Sequence, residues 1–181
     1  MTLDALALLL CIVKPAFAHP QAWTMEQCQE QAVAIYAVAE AHGLDPVLLV
    51  AVNVQECDLR THVHRPIWMG VGKHRKQVGV DACPMGIRLY GHPFDDARWT
   101  DAALYERAAT KMVRWQRWCA AKHSGHHWLS HYNEGNHVYA AQVLAFVAAL
   151  RGHEPSGESL TARTLEIVRR LLRVTKVKRR T

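Results

Sequence analysis

The segment from Asp45 to Cys57 is apolar on every side and ends beside a carboxylate, and it constrains the fold more than any other stretch. Asp45 is a good N-cap and Pro46 suits the first helical position, so a helix is predicted to begin there. Residues 47–52 and Val54 leave no polar face, which is typical of a helix at the centre of a small domain. The sequence therefore predicts a buried core helix over residues 46–57.

Glu56 is the candidate catalytic residue of this helix. It follows Leu49 and Val52 at helical spacing, so it leaves the last turn on the side that those residues bury. Partial desolvation and the negative end of the helix dipole would both raise the pKa of its carboxyl group. A carboxylic acid still protonated near neutral pH can give its proton to a leaving group. The alternative, commoner for a glutamate at a helix end, is a solvated side chain.

Over the rest of the chain the hydrophobic spacing predicts a mainly helical protein. A length of 181 residues suits a single domain. Apolar spacing, capping residues and glycine stops predict further helices over residues 25–42, 100–122, 126–132 and 137–150. A polar linker at 154–159 precedes a last amphipathic helix that starts at 160. Residues 58–99 show no sustained period and predict irregular structure with a short β-hairpin, much of it packed.

The first eighteen residues predict export. An apolar stretch from Leu6 to Val13 precedes Ala16-Phe17-Ala18, which has the small-x-small form of a signal-peptidase site. A basic side chain is missing from the residues before the apolar stretch, and the alternative is a buried N-terminal helix. The interpretation adopted is a signal peptide at 1–18 and a periplasmic or secreted protein.

Cleavage after Ala18 would remove Cys11 and leave an even number of cysteines in an oxidising compartment, where two disulfides form readily. Three connectivities are open to the remaining four residues. The one favoured is Cys57 with Cys83, which would clamp the loop beside Glu56, and Cys28 with Cys119.

The chain's basicity lies in its last residues. Residues 160–181 hold eight basic side chains and one acidic. Such an end binds anionic membranes or wall polymers by sequence-independent electrostatics. A solvated, frayed terminus is the alternative, and nucleic acid ranks lowest because an exported chain would rarely meet it.

Three segments in chain order resemble the soluble lytic transglycosylase family, the lysozyme-like enzymes that cut bacterial peptidoglycan. Residues 39–49 leading to Gln55-Glu56-Cys57 resemble the family's helix ending in Glu-Ser. Residues 82–87, Ala-Cys-Pro-Met-Gly-Ile, are similar to its Gly-Leu-Met-Gln-Ile segment. Tyr132-Asn133-Glu134-Gly135, followed by Tyr139, is similar to its Tyr-Asn-Ala-Gly turn and tyrosine helix.

The resemblance covers roughly residues 32–150 and implies a lysozyme-like fold for the domain at 19–153, which precedes the tail at 154–181. It implies that Glu56 is the only acid and base, and that it cleaves the N-acetylmuramic acid to N-acetylglucosamine bond with formation of a 1,6-anhydro end. The substrate would be peptidoglycan glycan strands, with no cofactor and no metal. The residues expected near the glycan are Met85, Tyr132, Asn133 and Tyr139.

The chain departs from the family at two positions, where Cys57 replaces a serine and Gly86 replaces a glutamine of the cleft. Loss of one polar contact to substrate typically costs about 1 to 3 kcal/mol, which slows an enzyme without silencing it. A cysteine at position 57 is tolerable if it forms a disulfide. Gly86 weakens the expected substrate contacts more than it weakens the acid.

Two rival functions remain open. A hydrolytic muramidase would need a second carboxylate to position water, and Asp81, Asp95 and Asp96 are the candidates. A catalytically silent wall-binding component of a secretion, conjugation or phage apparatus would explain Gly86 and the basic tail.

Other chemistries have less support from the sequence. The histidines at 62, 64, 126, 127 and 131 lack the spacing of a zinc site. A cysteine nucleophile at Cys57 or Cys83 has no recognisable flanking motif, and exported thiols tend to be oxidised. Aromatic residues that would suit sugar stacking are equally expected in the core; they are Trp115, Trp118, Trp128, Tyr132 and Tyr139.

Overall fold

A computed structural model describes residues 1–16, 23–61, 63–91, 98–122, 125 and 127–151 of the chain. The helices are α1 (Leu3–Val13), α2 (Met25–His42), α3 (Pro46–Cys57), α4 (Asp101–Lys122), α5 (Leu129–Tyr132) and α6 (His137–Arg151). The strands are β1 (His64–Met69), β2 (Lys76–Ala82) and β3 (Ile87–Tyr90). The predicted mainly helical class is confirmed, with a small antiparallel sheet beside the helices.

Helix α3 is the buried core helix that the sequence predicts. The Asp45 side chain accepts a hydrogen bond from the Val47 amide at 3.0 Å, and Pro46 is the first helical residue. Residues 47–55 are all buried, and α3 contacts α1, α2 and α6. Helix α3 can be apolar on every side because other helices pack against it on several sides.

Two buried polar side chains of α3 were not predicted to be part of the core. Asn53 Nδ2 donates to the Tyr105 hydroxyl at 2.8 Å, and that hydroxyl donates to Gln31 Oε1 at 3.1 Å. Gln55 Nε2 donates to Gln142 Oε1 at 3.0 Å. Full burial raises the pKa of Tyr105, so its hydroxyl keeps its proton. These bonds join α3 to α2, α4 and α6.

The segment after α3 is more regular than predicted. Its strands form one sheet in the order β1-β2-β3, with Arg65 opposite Asp81 and a bulge between Ile67 and Trp68. In β3 the buried Ile87 and Leu89 alternate with exposed residues, which is the period of a half-buried strand. The segment was predicted as largely irregular because this alternation spans only four residues.

The predicted bridge between Cys28 and Cys119 is wrong. Cys28 is bonded to Cys11, with Cα atoms 5.6 Å apart, and Cys119 is a buried free thiol. The physical reason is that α1 packs along α2 and brings Cys11 to Cys28. The predicted pairing excluded Cys11 because this residue belongs to the predicted signal peptide.

Helix α1 lies in the core of the full-length chain. Leu6, Leu9 and Leu10 are fully buried, and Lys14 Nζ donates to the Leu59 carbonyl at 2.8 Å. Partial burial lowers the pKa of Lys14. The cleavage site after Ala18 lies outside the described residues, so removal of residues 1–18 stays a prediction. Cleavage there would leave Cys28 without its partner.

Helix boundaries follow their predicted caps. Thr24 and Gln27 form a capping box at α2, and Gly43 ends that helix in the left-handed conformation. Thr100 accepts from the Ala103 amide at the start of α4. The helix predicted over 126–132 is shorter than expected, and the linker and tail helix at 154–181 lie outside the described residues.

Among the described residues, no single helix is long and apolar enough to cross a membrane. Helices α2 and α3 are long and apolar enough only when taken together, and they are bent by 120° at their junction.

Candidate functional site

A groove of about 510 Å³ opens where α3 ends, between the sheet, α4 and the turn after α5. It is bounded by residues that are distant in the sequence. They are Glu56, Cys57, Arg65, Asp81, Cys83, Gly86, Ile87, Arg88, Arg107, Thr110, Lys111, Arg114, Tyr132, Asn133 and Glu134.

Glu56 is half-buried at this groove and lies directly against the backbone of Gly86. A Cβ atom added at Gly86 would be 2.7 Å from Glu56 Oε2, closer than real Cβ atoms come, and 3.2 Å from Cδ, which is a tight contact, so the Glu56 carboxylate would have to shift. Gly86 also has a φ of +59°, which favours glycine. At position 86 the resemblance leads one to expect a glutamine. The glycine found there leaves room for the Glu56 carboxylate.

The disulfide predicted between Cys57 and Cys83 is confirmed, with Cα atoms 5.8 Å apart. It joins the last residue of α3 to the β2–β3 turn, residues 83–86. One bond therefore fixes the two segments whose contact holds Glu56 against Gly86.

Removing this bond in a Cys57→Ser/Cys83→Ser variant is expected to lower the free energy of unfolding by roughly 3 to 4 kcal/mol, because it frees a loop of 26 residues. The peptidoglycan cleavage that the sequence predicts should also fall per folded molecule, since the turn beside Glu56 loosens. Urea denaturation measures the stability, and turnover of cell-wall sacculi tests the predicted activity. The matched control, made in protein that retains residues 1–18, is Cys11→Ser/Cys28→Ser. Its bond spans 17 residues of sequence, and neither cysteine lines the groove. Equal loss of activity in both variants would contradict a special role for the first bond.

Lys111 is a groove residue that the sequence analysis missed. Its Nζ donates to the Tyr132 carbonyl at 2.8 Å and lies 4.3 Å from the Tyr132 ring centroid. Although Lys111 as a whole residue is exposed, burial of its ammonium group lowers its pKa, and attraction to Glu56 opposes that shift. A cation is thus held within electrostatic reach of the candidate acid.

Tyr132 links the predicted motifs to one another. Its hydroxyl donates to the Met85 carbonyl at 3.0 Å, so the Tyr-Asn turn is bonded to the β2–β3 turn. Burial raises the pKa of Tyr132, and the negative charge of Glu56 adds to that effect. The hydroxyl therefore stays neutral and keeps donating this hydrogen bond.

Arg88 engages two of the groove's carboxylates. It donates to Glu134 Oε1 and lies 3.4 Å from Asp81 Oδ1. The hydrogen bond to Glu134 is the main cause that raises the pKa of Arg88. Both Asp81 and Glu134 are thereby paired with one guanidinium group, whereas Glu56 faces Lys111.

Three further arginines give the groove a cationic excess. Arg65, Arg107 and Arg114 line it, and within the described ranges they make no ion pair with a carboxylate. Arg107 also lies over the Trp99 ring at 5.4 Å. Arg107 and Arg114 share one face of α4 with Lys111 because they follow one another at helical spacing. The sequence analysis missed this face, since a charge pattern on a long helix usually means a solvated surface.

Not all predicted site residues reach the groove. Glu56, Tyr132 and Asn133 line it together. Met85 is fully buried behind it, and Tyr139 is 2% exposed with its ring stacked 6.2 Å from that of Tyr132. These two residues support the groove from the core, and a direct contact with substrate stays a prediction for them.

Of the residues predicted for rival chemistries, Asp81 lines the groove, while Asp95 and Asp96 lie outside the described residues. Cys57 and Cys83 are bonded to each other, so neither offers a thiol nucleophile. These placements leave Asp81 as the described candidate for a second carboxylate.

The histidines of the metal hypothesis have other contacts. His131 stacks on Trp115 with ring centroids 4.9 Å apart, and His127 Nδ1 accepts from the Leu129 amide. Burial lowers the pKa of His127. His62 and His126 lie outside the described residues. Within the described part of the chain, no three His, Cys, Asp or Glu side chains cluster as metal ligands would.

Comparisons of the chain with family models, with curated proteins and with solved structures returned no match. A functional assignment therefore depends on the groove residues and on the sequence motifs that meet there.

Proposed function

We propose that the chain is a lysozyme-like, glycan-cleaving domain whose general acid is Glu56. The observation that carries the proposal is the convergence of all three motifs: the end of α3, the β2–β3 turn and the Tyr-Asn turn meet around one half-buried carboxylate. More specifically, the domain is proposed to be a peptidoglycan lytic transglycosylase. Two disulfides are compatible with the oxidising compartment in which such an enzyme would work.

In the proposed reaction, protonated Glu56 donates to the glycosidic oxygen as the bond from C1 of N-acetylmuramic acid to that oxygen breaks. The resulting carboxylate then takes the proton of the 6-hydroxyl group of the same sugar as that oxygen attacks C1. A 1,6-anhydro bond forms, the acid is regenerated and no water is consumed. One carboxylate therefore serves both steps.

A hydrolytic muramidase needs a second carboxylate that activates water or attacks C1. Asp81 and Glu134 are the other carboxylates of the described groove, and both lie beside Arg88. The choice of the one-carboxylate mechanism therefore rests on the sequence motifs around Glu56, which resemble a family that uses a single acid, and the reaction products decide between the two mechanisms.

Product analysis tests the proposal. Sacculi digested in ¹⁸O-labelled water should yield muropeptides with 1,6-anhydro ends, one water lighter than reducing products and free of label. Mass spectrometry reads both properties at once. Labelled reducing ends would overturn the transglycosylase mechanism in favour of the muramidase, and no release of fragments would favour a silent wall-binding component.

The cationic face of α4 supports peptidoglycan as the substrate, because the stem peptides of peptidoglycan carry free carboxylates. A double Arg107→Gln/Arg114→Gln variant is expected to raise KM on stem-peptide-bearing glycan about tenfold with little change in kcat, since each of these exposed arginines contributes up to about 1 kcal/mol as an ion pair and the variant removes both. Kinetics on glycan stripped of its peptides should show a smaller difference, because that glycan keeps one lactyl carboxylate per muramic acid and loses those of the stem peptide. Arg117→Gln is the matched control, because Arg117 lies on the same helix and outside the groove. An equal KM increase in the control would point to a general charge effect.

A further inference from the structure

The β1–β2 hairpin ends in an apolar, exposed tip, formed by residues 68–76 and called here the hairpin tip. Trp68 is 46% exposed, Met69 59% and Val71 87%. Single exposed apolar side chains are common, but three large ones within four residues at a projecting end form a patch that soluble surfaces rarely leave without a partner.

The same tip is strongly basic. Lys73, Arg75 and Lys76 follow Val71 closely, and no Asp or Glu occurs between Asp58 and Asp81. The Arg75 guanidinium lies over the Trp68 ring at 5.0 Å, so charge and aromatic surface are adjacent in space as well as in sequence. A partner that covers this tip must offer negative charge next to apolar material.

The tip is a compact turn. A Cβ atom at Gly70 would be 2.4 Å from the His74 carbonyl oxygen, so only glycine allows this closure. The His74 amide donates to the Val71 carbonyl and the Arg75 amide to the Gly72 carbonyl. Val71 is thereby held at the apex, and little conformational entropy remains to be lost on binding.

We propose that the hairpin tip docks on an anionic phospholipid bilayer, with Trp68, Met69 and Val71 entering the headgroup region. Lys73, Arg75 and Lys76 then contact lipid phosphates. Tryptophan favours this interfacial depth, and each cation near an anionic surface adds to the attraction. Arg65, on the same strand β1, lines the groove, so docking would hold the groove close to the membrane. The inference does not depend on the proposed function.

Fluorescence quenching tests whether Trp68 inserts into the bilayer. Residues 160–181 contain no tryptophan, so the basic tail cannot produce this signal. Full-length protein is mixed with vesicles of phosphatidylcholine and phosphatidylglycerol, with or without bromine on the acyl chains. Brominated lipid should quench part of the tryptophan emission, and Trp68→Phe should abolish that part. Trp118→Phe, at another exposed tryptophan, is the control and should leave it unchanged. Equal quenching in wild type and Trp68→Phe would overturn the proposal.

Flotation with the same vesicles tests the charges. A Lys73→Gln/Arg75→Gln/Lys76→Gln variant should bind about a hundredfold more weakly, on the order of fivefold for each cation. The control Arg114→Gln/Arg117→Gln/Lys122→Gln makes the same charge change on α4 and should lose far less. Equal loss in the two triple variants would overturn the proposal. The proposal would also be overturned if the tip variant kept its vesicle binding and lost its binding to purified sacculi, because the tip would then bind the cell wall.

Discussion

Replacing Glu56 by Gln is expected to lower the rate of glycan cleavage by about 10²- to 10⁴-fold, the contribution that a positioned general acid makes. The amide is nearly the same size as the carboxyl group, so the contact with Gly86 and the fold are preserved. It cannot give up a proton to the glycosidic oxygen at neutral pH. The rate of turbidity loss of a sacculus suspension, measured at equal concentrations of folded protein, reads the effect.

Asp81→Asn is the matched control for this experiment, because Asp81 is the other described groove residue that sequence reasoning proposed as a carboxylate for catalysis. Its rate is expected to stay within about tenfold of wild type, since its carboxylate is paired with Arg88. A loss as large as that of Glu56→Gln would favour a two-carboxylate hydrolase. Equal inactivity of wild type and Glu56→Gln would favour the silent wall-binding component.

Local signals account for the parts of the fold that sequence predicted well. An N-cap such as Asp45 or Thr24 acts within a few residues, and the apolar run of α3 needs no knowledge of its neighbours. The pairing of Cys28 with Cys11 depends on how α1 packs against α2, which no local pattern encodes. The sheet was underestimated for a similar reason, because β3 becomes a strand only by pairing with β2.

The residues of the candidate site likewise divide into those that local sequence predicts and those that only tertiary packing brings to the groove. Glu56 could be proposed from sequence because the end of a fully apolar helix is an unusual place for a carboxylate, and the structure shows it lining the groove. Lys111, Arg107 and Arg114 were missed because they reach the groove only when α4 packs beside the sheet. Gly86 was interpreted as a lost substrate contact, whereas its position against Glu56 is a matter of tertiary packing.

The role of Gly86 leads to the second large expected effect. Gly86→Ala should lower activity by about 10²-fold, because its Cβ would displace the Glu56 carboxylate and a shift of about 1 Å at a catalytic group has that consequence. Stability should also fall by roughly 1 to 2 kcal/mol, since φ of +59° is costly for alanine. Urea denaturation measures the stability, and turnover of sacculi per folded molecule measures the activity.

Gly43→Ala separates the two causes. Gly43 has a φ of +63°, nearly that of Gly86, but a Cβ atom there meets nothing within 4 Å. It ends α2 and does not line the groove, so this variant should suffer a similar backbone cost and keep its activity per folded molecule. If both variants lost activity equally, backbone strain alone would explain the result. If Gly86→Ala remained fully active, the close approach of Gly86 to Glu56 would have no part in positioning the acid.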